Sequence, residues 1–295
     1  MSGNQAKAYW SFKEHSRRKL RILEKYLNAC KRFADKYENF VYVDTHGGSG
    51  KVIDVTGEVV EESSPFIASK LLPTYPCHVV EVNPSRFETL REATENHANI
   101  SLYRGDCNVL IDEILSRIPK GRVFVFSFID PDGLIEEDTH VYELLWTTVE
   151  KIAKFPRTEL LLNFPLEAIL RTGGYVRKKP EALKWTPGYR DAITKFMPVK
   201  DWETRIKDFF DKQKWLDLYM SGIEPYYKYR GALLVLAGQL PMYYLVYASK
   251  REPGPNIMRN IMKIEWEDQF RQKLAMLPPK EYFIFDNRLL HPRLL

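Results

Sequence analysis

Cysteine is scarce in this chain of 295 residues. Cys30, Cys77 and Cys107 are odd in number, far apart and form no CxxC pair. That excludes a disulfide framework and a cysteine-held zinc site, and it points to reduced thiols in a cytosol. Long apolar runs are missing as well. No stretch approaches the roughly 18 apolar residues of a membrane span. The opening MSGNQAKAYWSFKEHSRRKL lacks the apolar centre of a secretory signal. A cytoplasmic setting with no membrane contact is therefore expected. No repeat or low-complexity segment appears. Two nucleotide-binding signatures are absent too. A GxxxxGK[ST] loop fails because Val52 follows Gly50-Lys51 and Thr45 stands where the first glycine belongs. GxGxxG fails because Gly48-Ser49-Gly50 runs on into Lys-Val-Ile. No Ser-His-Asp, HExxH or paired-carboxylate pattern emerges, so hydrolase readings lack support and no metal site is expected.

What is present suits a sizeable core: 44% of the residues are hydrophobic. The net charge of +5 is unevenly spread. Residues 171–215 carry twelve Lys/Arg against six Asp/Glu, more than the whole excess. Such asymmetry suggests an anionic partner at one face, with a solvated helical surface as the plain alternative.

Periodicity predicts a basic helix over 13–37, with Leu20, Ile22, Leu23, Leu27 and Cys30 near helical spacing. FVYVD (40–44), CHVVEVN (77–83), ISLYRGD (100–106), VFVFSFID (123–130) and ELLLNFP (159–165) read as strands. Helices are expected between them, from Ser63-Ser64-Pro65, over 84–96, over 108–117 and over 139–153. VIDVTGEVV (52–60) reads as a hairpin around Thr56-Gly57. Residues 166–217 read as helical and polar. ALLVLA (232–237) and YYLVYAS (243–249) are too close for a parallel crossover and must pair antiparallel. The plan is a mostly parallel α/β sheet closed by one antiparallel hairpin, with helices on both faces. That is the strand plan of a Rossmann-like class I methyltransferase rather than of a dehydrogenase.

Each of the first four strands ends in a polar signal, at the edge where open α/β sheets bind ligands. After the first come Asp44, Thr45, His46, Gly47, Gly48, Ser49 and Gly50, where glycines admit close backbone approach. Asp44 would orient the loop or hold a ligand's amino group. Glu81 ends the second strand, where an acid accepts from the ribose hydroxyls of an adenosine cofactor. Asp106 ends the third and would accept from an adenine amino group, with Cys107 beside it. Each acid alone is more often a helix cap. Asp130-Pro131 ends the fourth. Its carboxylate and free carbonyl would accept two hydrogen bonds from an amine and raise its nucleophilicity toward a methyl sulfonium. Asp130 to Gly133 also fits a type I turn. His46 as a general base is weaker than His46 as a hydrogen-bonded structural group.

FVYVDTHGGSGKV, SSPFIASKLL, VVEVNPSRFETL, YRGDCNVLIDEIL, FSFIDPDGL and YYLVYASK together resemble the three-Cys-motif partner proteins, a branch of the methyltransferase superfamily. The resemblance spans roughly residues 10–250 and is specific in order and spacing. It implies a class I methyltransferase fold with S-adenosylmethionine at Asp44, Gly48, Gly50, Glu81 and Asp106; His46 and Cys107 beside them are further cofactor-binding candidates, and Asp130 and Pro131 are the candidate catalytic residues. It also implies a partner, the cysteine-motif protein that names the family and looks like a radical enzyme with an iron–sulfur cluster. One methyltransferase-like domain over 1–295 is then expected. It would carry a basic helical extension at 1–38, a helical insertion at 166–217 and a C-terminal extension at 251–295.

One departure concerns the chemistry. Nucleic-acid amino-methyltransferases carry Asp/Asn-Pro-Pro-aromatic at the fourth strand, the ring stacking on a flipped base. Here Asp132-Gly133 replaces Pro-aromatic, which leaves Phe164 as a ring from the next strand. Methyl transfer to an amine or oxygen is the leading expectation. An accessory protein that keeps the fold without catalysis is the alternative, and a nicotinamide oxidoreductase is a weaker one. Nucleic acid would bind through 171–215. There Arg171, Arg177, Lys178, Lys179, Lys184 and Arg190 accompany Tyr175, Trp185, Tyr189 and Trp202.

Overall fold

The run FVYVD is apolar up to its last residue, and it forms a strand buried along its whole length, β1 (Phe40–Asp44). It belongs to a computed structural model that describes residues 14–34, 39–53, 59–119, 121–171, 188–237, 240–271 and 283–285. The helix before it is α1 (Glu14–Ala34). A small antiparallel ribbon, β2 (Lys51–Ile53) with β3 (Val59–Glu62), follows β1, and α2 (Ser64–Leu71) comes next. Three strand–helix units continue the chain. They are β4 (Cys77–Glu81) with α3 (Pro84–Ala93), β5 (Ile100–Arg104) with α4 (Cys107–Arg117), and β6 (Phe124–Ile129) with α5 (Trp146–Lys154). Then come β7 (Thr158–Phe164), α6 (Gly188–Phe196), α7 (Trp202–Arg205) and α8 (Lys212–Ile223). The chain closes with β8 (Tyr229–Ala237), β9 (Leu240–Ser249), α9 (Gly254–Arg271) and β10 (Phe283–Phe285).

The main sheet has the order β10-β8-β9-β7-β6-β1-β4-β5. Pairing is parallel from β5 through β4, β1 and β6 to β7. β9 runs antiparallel to both β7 and β8, as the short gap between β8 and β9 requires. The strand order reverses at β1, whose neighbours are β4 and β6. A topological switch point thus lies at the carboxyl ends of β1 and β6, and a crevice is expected there.

Strand side chains alternate between faces, so the sheet splits the core in two. Val41, Val43, Val125, Leu160, Leu162, Leu234 and Val246 belong to one cluster, with residues of α4, α5, α6 and α8. Tyr42, Phe126, Phe128, Leu161, Leu233, Leu245 and Tyr247 belong to the other, with residues of α1, α2 and α9. Ile22, Leu23, Tyr26 and Leu27 of α1 are fully buried in this second layer.

Two expectations need correction. The helix expected over 139–153 starts only at Trp146. Upstream, Glu136 Oε2 accepts from Thr139 N and Oγ1, His140 takes a positive φ of 55°, and Ile135 bridges Tyr142. Local carboxylate bonds of this kind compete with a helix for the same backbone groups. Nor is 166–217 simply polar. It is helical over 166–171 and again in α6, α7 and α8, while 172–187 lie outside the described residues. Ile193, Phe196, Trp202, Trp215 and Tyr219 are buried there. Trp202 packs on Trp215 at 5.3 Å between ring centroids, and Phe196 stacks on Tyr219 at 4.9 Å. The aromatics are the buried stripe of amphipathic helices. Among the described residues no helix is long and apolar enough to cross a membrane.

Candidate active site

The loop after β1 is tied down by Asp44. Its carboxylate is fully buried and accepts from His46 N at 3.1 Å and from the Tyr42 hydroxyl at 3.0 Å. Burial pushes its pKa up to about 6. Asp44 therefore shapes the loop from beneath and does not line the cleft above it. Gly47 N donates to Val80 O at 2.8 Å, and its neighbour Gly48 has a φ of +65°. Gly48 N donates to Glu81 Oε2 at 2.7 Å. Gly50 packs against Leu90 and Phe66, and its carbonyl accepts from Ser63 Oγ at 2.6 Å. It belongs to the turn, away from the cleft.

Glu81 lines the cleft. Its other oxygen accepts from Asn83 N at 2.8 Å, and burial raises its pKa. Two backbone N–H bonds use two of the roughly four acceptor positions of a carboxylate and leave the rest for a ligand. Asp106 also lines the cleft while capping α4, accepting from Asn108 N at 2.8 Å and Nδ2 at 2.7 Å. Cys107 is buried, its thiol donates to Glu143 O at 3.4 Å, and burial pushes its pKa well up. It presents a neutral wall rather than a nucleophile.

His46 Nε2 lies 3.1 Å from Glu143 O, a carbonyl that only accepts, so Nε2 carries the proton. Nδ1, 2.7 Å from Thr45 Oγ1, then accepts from that hydroxyl. Burial lowers the ring's pKa and keeps it neutral. With both nitrogens committed, the general-base role has no free nitrogen, and the structural role accounts for the residue.

The fourth strand end is where the geometry departs most from expectation. Asp130 Oδ1 accepts from Lys19 Nζ of α1 at 2.5 Å and from Asn163 Nδ2 of β7 at 3.0 Å. The same Asn163 Nδ2 reaches Pro131 O at 3.0 Å. The two acceptors expected to receive an amine thus receive a side-chain amide. Phe164 is fully buried among Phe196, Tyr219 and Tyr244 and offers no ring to the cleft. Lys19 and Asn163 were both missed. Lys19 had a signal: with Leu23, Tyr26 and Cys30 it falls at i, i+4, i+7 and i+11, a cation set into an apolar stripe. Glu136 and Glu143 were also missed, since they flank or fall within the stretch misread as helix.

Lys19, His46, Gly48, Glu81, Asp106, Cys107 and Asp130 line one cleft of about 200 Å³. Glu81, Asp106, Asp130, Asp132, Glu136 and Glu143 line it, with Lys19 paired to Asp130 and Arg86 to Asp132. Burial, with Asp132 alongside, raises the Glu143 carboxyl to about 8, against backbone hydrogen bonds from Gly133 and Asp132 that lower it. The set is rich in acceptors and suits a cationic ligand bearing hydroxyl and amino groups. It suits a phosphate poorly, since carboxylates repel anions. Among the described residues no three His, Cys, Asp or Glu are grouped to hold a metal.

No protein-family model matches the sequence, and no curated protein matches it either. Solved structures do. Protein LPL1258 from Legionella pneumophila, of the family model DUF519, is similar over 90% of this chain and 95% of its own, with a TM-score of 0.53 and 12% identity. An O-methyltransferase from Bacillus cereus, solved with S-adenosylhomocysteine, is more distant at a TM-score of 0.40 and 12% identity over 77% of this chain and 80% of its own. TrmN from Thermus thermophilus follows at 0.37 and 18%, over 76% of this chain and 48% of its own. At such identities likeness is one of fold alone, and the two distant ones add nothing to it. With the strand order above, the fold is a Rossmann-like, mostly parallel α/β sheet closed by one antiparallel hairpin.

Proposed function

We propose that this chain is an S-adenosylmethionine-dependent methyltransferase acting on an amine or oxygen acceptor. The observation that carries the reading is the cleft at the switch point. There Gly48 and Glu81 from adjacent strand ends are locked together at 2.7 Å, and Asp106 and Asp130 line the same space. The donor set fits the cofactor. A methyl built on Gly48 meets nothing within 4 Å, so the loop leaves room for a ligand at close approach. Glu81 keeps acceptor positions for a ribose diol, and Asp106 keeps acceptor positions for an adenine amino group. The surrounding carboxylates suit a sulfonium. Asp44 and Gly50 act one step back, by shaping the loop, while His46 and Cys107 line the cleft wall. Bound there, the cofactor supplies an electrophilic methyl group, and Asp130 handles the acceptor and its proton. Three buried free thiols accord with a cytoplasmic setting.

A second reading has its own support. Asp130 and Pro131 O are already engaged by Lys19 and Asn163, as a non-catalytic partner protein would tolerate. In that reading the chain works with a three-Cys-motif iron–sulfur protein, as the motif resemblance implies. Native mass spectrometry of the freshly purified protein tests the primary reading. Retained S-adenosylmethionine or its demethylated product supports it. A retained dinucleotide would overturn it.

A further inference from the structure

We propose that Lys19 and Asp130 form an acceptor subsite selective for an ionisable hydroxyl, of phenol or enol type, over an amine. The inference rests on the methyltransferase reading above and names its acceptor class.

An amine acceptor needs open hydrogen-bond acceptors at the fourth strand end, and here they are filled. Asn163 is 5% exposed, and its Nδ2 bridges Asp130 Oδ1 and Pro131 O at 3.0 Å each. Its own carbonyl, Oδ1, is buried without a hydrogen-bond partner. Turning the amide over would press that oxygen against a carboxylate and a carbonyl, so the two acceptors fix its orientation. The amide therefore stays between them, and an incoming amine would have to displace a buried group.

Lys19 brings the opposite polarity. Its ammonium is 2.5 Å from Asp130 Oδ1, with side-chain exposures of 10% and 15%, and both residues line the cleft. It also lies 5.6 Å from the centroid of the Tyr243 ring, which holds the stem against β9. An ammonium has three N–H donors, so two remain for an acceptor oxygen. A nearby cation lowers the pKa of a hydroxyl and stabilises its anion, while it opposes the positive charge that grows on an attacking amine. Among the described residues Asp130 Oδ2 accepts from no group and is open to a proton. The other ionisable groups lining the cleft are His46, Glu81, Asp106, Glu136, Glu143 and the Arg86–Asp132 pair at 3.7 Å, and among the described residues Lys19 forms an ion pair only with Asp130.

The step then balances. The acceptor oxygen bonds the methyl carbon as the carbon–sulfur bond breaks. The sulfur keeps that electron pair and loses its positive charge, and the hydroxyl proton passes to Asp130 Oδ2.

The test uses two probes of equal size, 4-nitrophenol and 4-nitroaniline, titrated into the full chain saturated with S-adenosylhomocysteine. Affinity is read from absorbance, and so is the pH at which bound nitrophenol ionises. The expected result is at least about a tenfold preference for the phenol, with ionisation about one pH unit or more below that in buffer. Lys19→Met should lose both while retaining S-adenosylhomocysteine, and Lys19→Arg should keep both. Equal or reversed preference in the unaltered protein overturns the proposal. So does an unshifted ionisation, the absence of saturable nitrophenol binding, or a shift that survives Lys19→Met. If S-adenosylhomocysteine itself fails to bind, the methyltransferase reading falls. The same phenol-to-aniline comparison on the unloaded chain then still decides whether Lys19 builds an oxyanion site.

Discussion

A methyl group added at Gly47 would sit 2.4 Å from Val79 Cγ1, whereas one added at Gly48 meets nothing within 4 Å. Val79 is a buried, β-branched strand residue with little freedom to move. Gly47→Ala should therefore cost about 1–3 kcal/mol of stability by overpacking. Gly48→Ala, strained only by its left-handed backbone, should cost about 1–2 kcal/mol. Denaturant titration of the two variants checks the order, and a larger loss at Gly48 would contradict it. Asp130 makes a different prediction, because in the proposed reading it serves the acceptor and not the cofactor. Asp130→Ala should leave S-adenosylhomocysteine affinity within about threefold while turnover falls by roughly 10²–10⁴. Normal turnover on an identified acceptor would refute the assignment. At this scale the sequence was informative about strand-end acids and silent about their partners. Asp130 and Glu81 follow from position along the chain. Lys19 lies 111 residues before Asp130 and Asn163 lies 33 after it, so their meeting is a product of the tertiary fold.

At the level of elements, α1, β7 and β9 are joined by a buried carboxylate. Glu159 of β7 bonds the Tyr26 hydroxyl of α1 and accepts from Ser249 Oγ of β9 at 2.7 Å. Burial raises it to about 7 from an ordinary 4.5. The folded chain thus holds this proton more tightly than the unfolded chain. The stability it contributes is complete below about pH 4.5 and is lost as pH rises through about 7, a change of about 3 kcal/mol. Asp44, raised to about 6, acts in the same direction. Urea midpoints should accordingly fall between pH 5 and pH 8. Glu159→Gln, which stays neutral and can still accept from Tyr26 or Ser249, should flatten the fall. Parallel profiles for the two proteins would refute the assignment. The strands and the β8–β9 hairpin were legible because short continuous apolar runs and a short connection leave few other choices. The helix expected over 139–153 was not, because side-chain bonds from Glu136 decide the backbone there.

For the whole molecule, the basic excess of 171–215 was legible as charge but not as a surface. In its described part Arg190 pairs with Glu203, Lys195 with Asp191, Arg205 with Asp201 and Lys214 with Asp211. Trp202 is buried and Tyr189 is exposed. Arg177, Lys178, Lys179, Lys184, Tyr175 and Trp185 lie outside the described residues. If the segment binds nucleic acid, those cations carry it. Affinity for single-stranded RNA should then fall with salt at a log–log slope of about −0.7 per phosphate. Replacing Arg177, Lys178 and Lys179 with Ala should flatten that slope by about two to three contacts' worth. An unchanged slope would remove nucleic acid from the account. The central claim is the cofactor at the switch-point cleft, and ligand-dependent stability tests it most directly. S-adenosylhomocysteine at a hundredfold excess over its Kd should stabilise the chain by about 2.7 kcal/mol, seen as a raised Tm, while NAD and ATP leave it unmoved. Glu81→Ala should weaken that binding by roughly 1.5–3 kcal/mol. Stabilisation by NAD without stabilisation by S-adenosylhomocysteine would contradict the account.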